Sequence, residues 1–189
     1  NLGASPELSA TLEELLLELH DRYGRRVSLV GWSAGGIYAR EMARALPDYT
    51  RSVITLGSPF RGHPASTRAW RMYRLMNRRH LARMFTEEAL ATRAAPLEVP
   101  TTCVYSKHDG IVAWECCVSD PAPRTENIEV HASHLGYGHE VETLRVIADR
   151  LAQPEDGWQP YAGATASGGV RGPAVRRPGD SSPDTGRTG

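Results

Sequence analysis

Ser33 stands in Gly31-Trp32-Ser33-Ala34-Gly35, at the junction of an apolar run and a helical pattern. A serine so placed suits nucleophilic catalysis. On a sharp strand-to-helix turn its hydroxyl projects from the end of a sheet. The amide of the next residue, Ala34, then faces the space where an oxyanion forms. Glycines at 31 and 35, with Gly36 beside them, leave room for the strand and the helix to approach. The same letters also fit a glycine-rich turn whose serine only caps a helix. A serine hydroxyl is a poor nucleophile unless a base takes its proton and a carboxylate orients that base. The pattern therefore asks for an acid and a histidine further along the chain.

Asp109 lies in Ser106-Lys107-His108-Asp109-Gly110-Ile111-Val112, just past an apolar segment ending at Tyr105. That is a loop at the carboxyl end of a strand, where open α/β sheets carry their sites. An Asp-Gly pair is also a common turn, and this second reading stays open. Three histidines follow the acid: His131, His134 and His139. His134, in Ser133-His134-Leu135-Gly136, sits just beyond a strand pattern at 127–130 and is the expected base. His131 belongs to the end of that strand, and His139 opens the last helix. His108 precedes the acid, against the order serine, acid, histidine. His20, His63 and His80 read as surface or cap residues.

The elements that must position these groups alternate along residues 1–152. Leu12, Leu15, Leu16, Leu19 and Tyr23 share one helical face. Thr11 with Glu14 has capping-box spacing, and Gly24 suits the stop. Strands are expected at 27–30, 52–56, 101–105 and 127–130, with a helix from Ala34 to Leu46 stopped by Pro47. The last helix sets Val141, Leu144, Ala148 and Leu151 on one side. This rhythm predicts an α/β fold, a mostly parallel sheet flanked by helices. Residues 61–99 interrupt it with a helical pattern, Ala69, Met72, Tyr73 and Met76 on one face, and read as a cap or lid. Arg68, Arg71, Arg74, Arg78, Arg79 and Arg83 in that segment are a solvated face, or a guide for anionic or lipid substrates. The expected domain is residues 1–160. Eight glycines and five prolines among residues 153–189 make 161–189 a disordered tail.

Bulk composition narrows the partners. Lys+Arg and Asp+Glu are both 22, a net charge of zero that offers no pull toward nucleic acid or anionic membrane. No apolar run is long enough to be an integral membrane segment. The cysteines, Cys103, Cys116 and Cys117, have no zinc-ligand spacing and cannot all pair within the chain. Cys103 reads as a buried thiol and the other two as ordinary thiols. The compartment stays open, with the cytoplasm favoured. The expected partner is a small-molecule or lipid ester, with no cofactor and no metal.

At these positions the chain resembles bacterial α/β-hydrolase proteins related to lipases and esterases. The resemblance covers roughly residues 1–160 and rests on four segments in order: Val30-Gly31-Trp32-Ser33-Ala34-Gly35-Gly36, Thr55-Leu56-Gly57-Ser58-Pro59-Phe60, 105–112 and 133–136. It implies a triad of Ser33, Asp109 and His134, an acyl-enzyme and hydrolysis of a carboxylic ester. It also implies a pocket wall from Trp32, Ser58 and Pro59. The family's first strands, and the loop bearing its other oxyanion donor, have no counterpart before the helix that precedes Ser33. The reading is therefore of the C-terminal part of the fold, translated from part of a longer gene. Two other readings remain in view: a binding module or inactive fragment that keeps the fold without turnover, and an acyltransferase on the same fold.

Overall fold

A computed structural model describes residues 6–61 and 92–163. Four strands, β1 (Val27–Trp32), β2 (Thr50–Leu56), β3 (Thr101–Tyr105) and β4 (Thr125–Glu129), form one sheet in that order. All neighbours are parallel. Trp32 pairs with Leu56, Leu56 with Val104, and Tyr105 with Glu129. The carboxyl ends of the strands thus lie in a row, and every loop that leaves them emerges at one rim of the sheet.

Among the described residues, three helices of twelve residues or more flank the strands: α1 (Pro6–Tyr23), α2 (Ala34–Ala45) and α3 (Val141–Ala152). Period-two alternation divides the core between the two faces. Val53 joins Ala39 and Ala43 of α2, with Leu97 and Val99 beside them. Ile54, Leu56, Val104 and Ile128 turn the other way, toward Val146 of α3 and Tyr137. All five residues of β3 are buried, as a strand covered on both faces requires. A fully buried aliphatic side chain of this kind stabilises the fold by about 1.5–3 kcal/mol.

Three expectations about the helices are corrected. α1 begins at Pro6, upstream of the Thr11–Glu14 spacing, so that pair lies inside the helix. Its end is as expected: Gly24 takes φ 60° and donates its amide to the His20 carbonyl at 2.8 Å. Leu16 is the residue α1 buries, whereas Leu15 and Tyr23 are exposed. α3 differs most. Val141, Leu144 and Leu151 face solvent, and the buried face carries Thr143, Val146 and Arg150. The reason is an ion pair. Arg150 donates to Glu126 of β4 at 2.7 Å and to the Gln159 carbonyl at 2.6 Å, and its guanidinium lies over the Tyr161 ring. A paired arginine is compatible with burial, so charge alone does not mark the outer face.

All three cysteines are free and buried, Cys116 and Cys117 as well as Cys103. The fold also buries Arg40 of α2, which reaches over the Phe60 ring and donates to the Arg93 and Ala95 carbonyls at 3.0 and 2.9 Å. That bond ties residues 93–95 to α2. The rest of the expected cap, with its arginines, His63 and His80, and tail residues 164–189 lie outside the described residues.

Candidate active site

Ser33 is the single residue between β1 and α2. It holds φ 53°, ψ −125°, a region that side-chain-bearing residues rarely adopt. Two hydrogen bonds fix it there: its amide to the Leu56 carbonyl at 2.9 Å, and its carbonyl from Gly36 at 3.2 Å. The crossing of β1 over α2 explains the glycines. A Cβ on Gly31 would lie 2.5 Å from the Gly35 carbonyl carbon. A Cβ on Gly36 would strike the Ser58 side chain and lie 2.9 Å from the Gly31 oxygen. Gly35 has open space around it. The close approach is therefore made at positions 31 and 36, not 31 and 35.

His134 Nε2 lies 3.0 Å from Ser33 Oγ, and His134 Nδ1 lies 2.8 Å from Asp109 Oδ2. Hydrogen bonding sets the imidazole tautomer: Nδ1–H donates to the carboxylate, which leaves Nε2 to accept from the serine hydroxyl. Asp109 and His134 are both buried. The other carboxylate oxygen, Oδ1, accepts the amides of Ile111 and Val112 at 2.9 and 2.6 Å. Gly110, at φ 75°, makes that turn possible. Asp109 is thus both a turn residue and a partner of the imidazole, and the two readings of Asp-Gly merge.

The loops after β3 and β4 are joined to each other. Val130 continues the ladder to the Tyr105 carbonyl at 2.9 Å, and the His134 amide donates to the Asp109 carbonyl at 3.0 Å. Ser106 Oγ accepts from the His108 amide at 3.1 Å and the Ala132 amide at 3.2 Å, one in each loop. Tyr137 packs its buried ring beside Gly57 and edge-on to His134. Burial, and then the Asp109 charge, push its phenol far above the ordinary tyrosine range. The sequence did not single out Ser106 or Tyr137. Ser106 stands at a strand end three residues before Asp109, a position whose value appears only once the loops after β3 and β4 are known to touch.

The other described histidines are elsewhere. His131 is exposed and stacks on His108 with ring centroids 3.8 Å apart. His139 is exposed in the turn before α3. His20 contacts the Arg25 carbonyl at 3.1 Å. Of the expected pocket wall, Trp32 is 47% exposed and Pro59 half-buried. Ser58 is fully buried, and its hydroxyl donates to the Gly31 and Leu56 carbonyls, both at 3.3 Å. Its side chain braces the turn at Ser33 and faces no open space, a correction that follows from Gly36 closing over it. Ala34, half-buried, opens α2, where the first amides have no intrahelical acceptor. Burial and then the Asp109 charge raise the Cys117 thiol well above its usual range, so it stays protonated. Among the described residues no group of three His, Cys, Asp or Glu is placed to hold a metal ion. Among them, too, no helix is long and apolar enough to cross a membrane.

The parallel order of the strands and the strained turn after β1 define the class: this is the α/β-hydrolase fold, present in part. No protein-family model matches the chain, and no curated protein sequence does. Solved structures do match. The chain is similar to lipase B of Aspergillus fumigatus, at 17% identity over 79% of this chain and 42% of that one, with a TM-score of 0.58. It is similar to the mature lipase BlEst2 of Bacillus licheniformis, at 18% identity over 76% and 72% of the two chains, TM-score 0.57. An α/β superfamily hydrolase of Oenococcus oeni matches at 16% identity over 79% and 76%, TM-score 0.52. The chain spans less than half the length of the fungal lipase.

Proposed function

We propose that the protein is a serine hydrolase that cleaves carboxylic esters through Ser33, His134 and Asp109. One observation carries the reading. A hydroxyl, an imidazole and a carboxylate, spread over 101 and 25 residues of sequence separation, are linked at 3.0 and 2.8 Å, with the serine on a strained turn. The likeness to lipase structures supports it as analogy of fold.

In the proposed reaction His134 Nε2 takes the proton of Ser33 as Oγ attacks the ester carbonyl. The amide of Ala34 donates to the oxyanion at the start of α2. Asp109 stabilises the imidazolium, held in place by the Ile111 and Val112 amides. The imidazolium returns its proton to the departing alcohol, leaving an ester on Ser33. Water, deprotonated by the same imidazole, then attacks the acyl carbon. The acid is released and the hydroxyl regenerated. No cofactor enters any step. The substrate is an ester of a small molecule or a lipid.

Hydrolysis of a short p-nitrophenyl ester and labelling by a fluorophosphonate test this. Both should vanish in Ser33→Ala. In Asp109→Asn, where the imidazole is held in the wrong tautomer, turnover should fall by about 10⁴. Labelling that survives Ser33→Ala would remove the serine from its role.

A further inference from the structure

We infer that Trp32 is a positioning residue for His134, acting through its indole N–H and not only as a wall of the pocket. The inference rests on the Ser33–His134 reading above. The indole Nε1 donates to the His134 carbonyl at 3.0 Å, and the two rings lie 5.6 Å apart.

The geometry of the sheet explains why His134 needs such a tether. Ser33 follows β1 directly, whereas His134 belongs to the loop after β4. In the order β1-β2-β3-β4 the two strands are three spacings apart, about 14 Å. The loop after β4 must fold back across the ends of β3 and β2 to bring the imidazole to the hydroxyl. On the β3 side it is held by the His134 amide on the Asp109 carbonyl and by Nδ1 on the carboxylate. Both bonds fix His134 to Asp109, and neither fixes it to Ser33. The outer side of the loop has little packing, since Leu135 is 69% exposed.

Trp32 supplies the missing direction. It is covalently joined to Ser33, so its bond to the His134 carbonyl closes a ring. The ring runs from Ser33 through the Trp32 backbone and indole to His134, and returns through Nε2 to Ser33 Oγ. Both non-covalent links in it measure 3.0 Å. Loss of the indole bond leaves the approach of Nε2 to Oγ dependent on the Asp109 side and on the packing of Tyr137 at the end of β2, with nothing among the described residues on the Ser33 flank to hold the loop. Misplacement on a sub-ångström scale slows proton transfer without changing how the ester is held. Because nearly half of the Trp32 surface is exposed, its replacement leaves no buried cavity of the side chain's size.

Two substitutions separate this role from that of an apolar wall. Trp32→Phe keeps an aromatic face and removes the donor; Trp32→Ala removes both. Positioning predicts that Phe and Ala each lower kcat on p-nitrophenyl acetate by about 3–10-fold, the range a net hydrogen bond supports. KM should rise only in Ala. A wall alone predicts wild-type kcat in Phe. The second readout needs no turnover. The far-downfield proton of His134 Nδ1, followed by NMR in the full chain, should broaden in Phe relative to wild type. Phe with wild-type kcat and a wild-type resonance would overturn the inference and leave the serine hydrolase reading standing. Failure of the wild type to hydrolyse or to label would instead defeat that reading. The resonance then decides for Trp32 alone: broadening in Phe upholds the tether, and no change rejects it.

Discussion

Replacing Ser33 by glycine should make the protein more stable than replacing it by alanine, the reverse of the usual ranking. The backbone at Ser33, φ 53° and ψ −125°, lies where a Cβ is disfavoured. Such a residue stores about 1–3 kcal/mol of strain. Alanine keeps the Cβ and the strain; glycine releases it. Against this, glycine is more flexible in the unfolded chain, which costs about 0.5–1 kcal/mol relative to alanine. Both variants lose the hydroxyl's contact with His134, so that term cancels. The difference left favours Ser33→Gly by up to about 2.5 kcal/mol, worth up to roughly 10 °C in melting temperature for a chain of this size. Paired urea and thermal unfolding of the two inactive variants measure it directly. An alanine variant more stable than the glycine variant by the full chain-entropy term of about 0.5–1 kcal/mol would show that the turn carries no strain, and the physical argument for the elbow would fall with it.

Three further outcomes follow from the same geometry and its surroundings. Gly36→Ala should cost about 1–3 kcal/mol in urea unfolding, because its Cβ meets Ser58 and the Gly31 carbonyl. Gly35→Ala, with open space around it, should be neutral or gain up to about 1 kcal/mol. Alkaline pH should weaken the fold through Tyr105, whose phenol is pushed from 10.0 up to about 12, by burial first and then by the Glu129 charge. Between those values the unfolded chain has released the proton and the folded chain has kept it. Stability therefore falls as pH rises through that window, by up to about 1.4 kcal/mol per unit. Urea midpoints across the window should show that slope flattened in Tyr105→Phe, with the same-signed contribution of Tyr137 remaining.

The strands were legible because they are short, apolar and bounded by turn residues, and β3, covered on both faces, reads as an unbroken buried run. The meeting of Ser33, Asp109 and His134 was legible because each follows a strand pattern and parallel strands share one rim. What misled was side-chain identity taken as a guide to direction. The apolar stripe of α3 predicted an inward face at Val141, Leu144 and Leu151. The helix instead turns inward the stripe whose charged member, Arg150, finds Glu126 in β4, the element just before it. Gly35 and Gly36 are adjacent and chemically the same, so only the crossing angle of β1 and α2 tells which one faces Ser58. The family resemblance implied a place in the pocket wall for Ser58. The empty side of Gly36 captures it as packing.

The row of strand ends also explains why one glycine far from the serine motif matters. A loop returning from β4 toward β1 has to pass over the end of β2, where Gly57 takes φ 53°. A Cβ there would lie 2.5 Å from the Tyr137 ring and 3.0 Å from Asp109 Oδ2. Tyr137 belongs to the loop that carries His134, and Asp109 to the loop after β3. Both therefore settle onto the bare backbone of a strand that contributes none of the three linked side chains. β2 acts as the floor on which the other loops converge, and its contribution is the absence of a side chain. The reach of His134 is set by this floor, by Asp109 on one flank and by the indole of Trp32 on the other. A motif read residue by residue sees the three linked groups. The fold adds that their distances depend on two positions beside them, one defined by a missing Cβ and one by a single N–H.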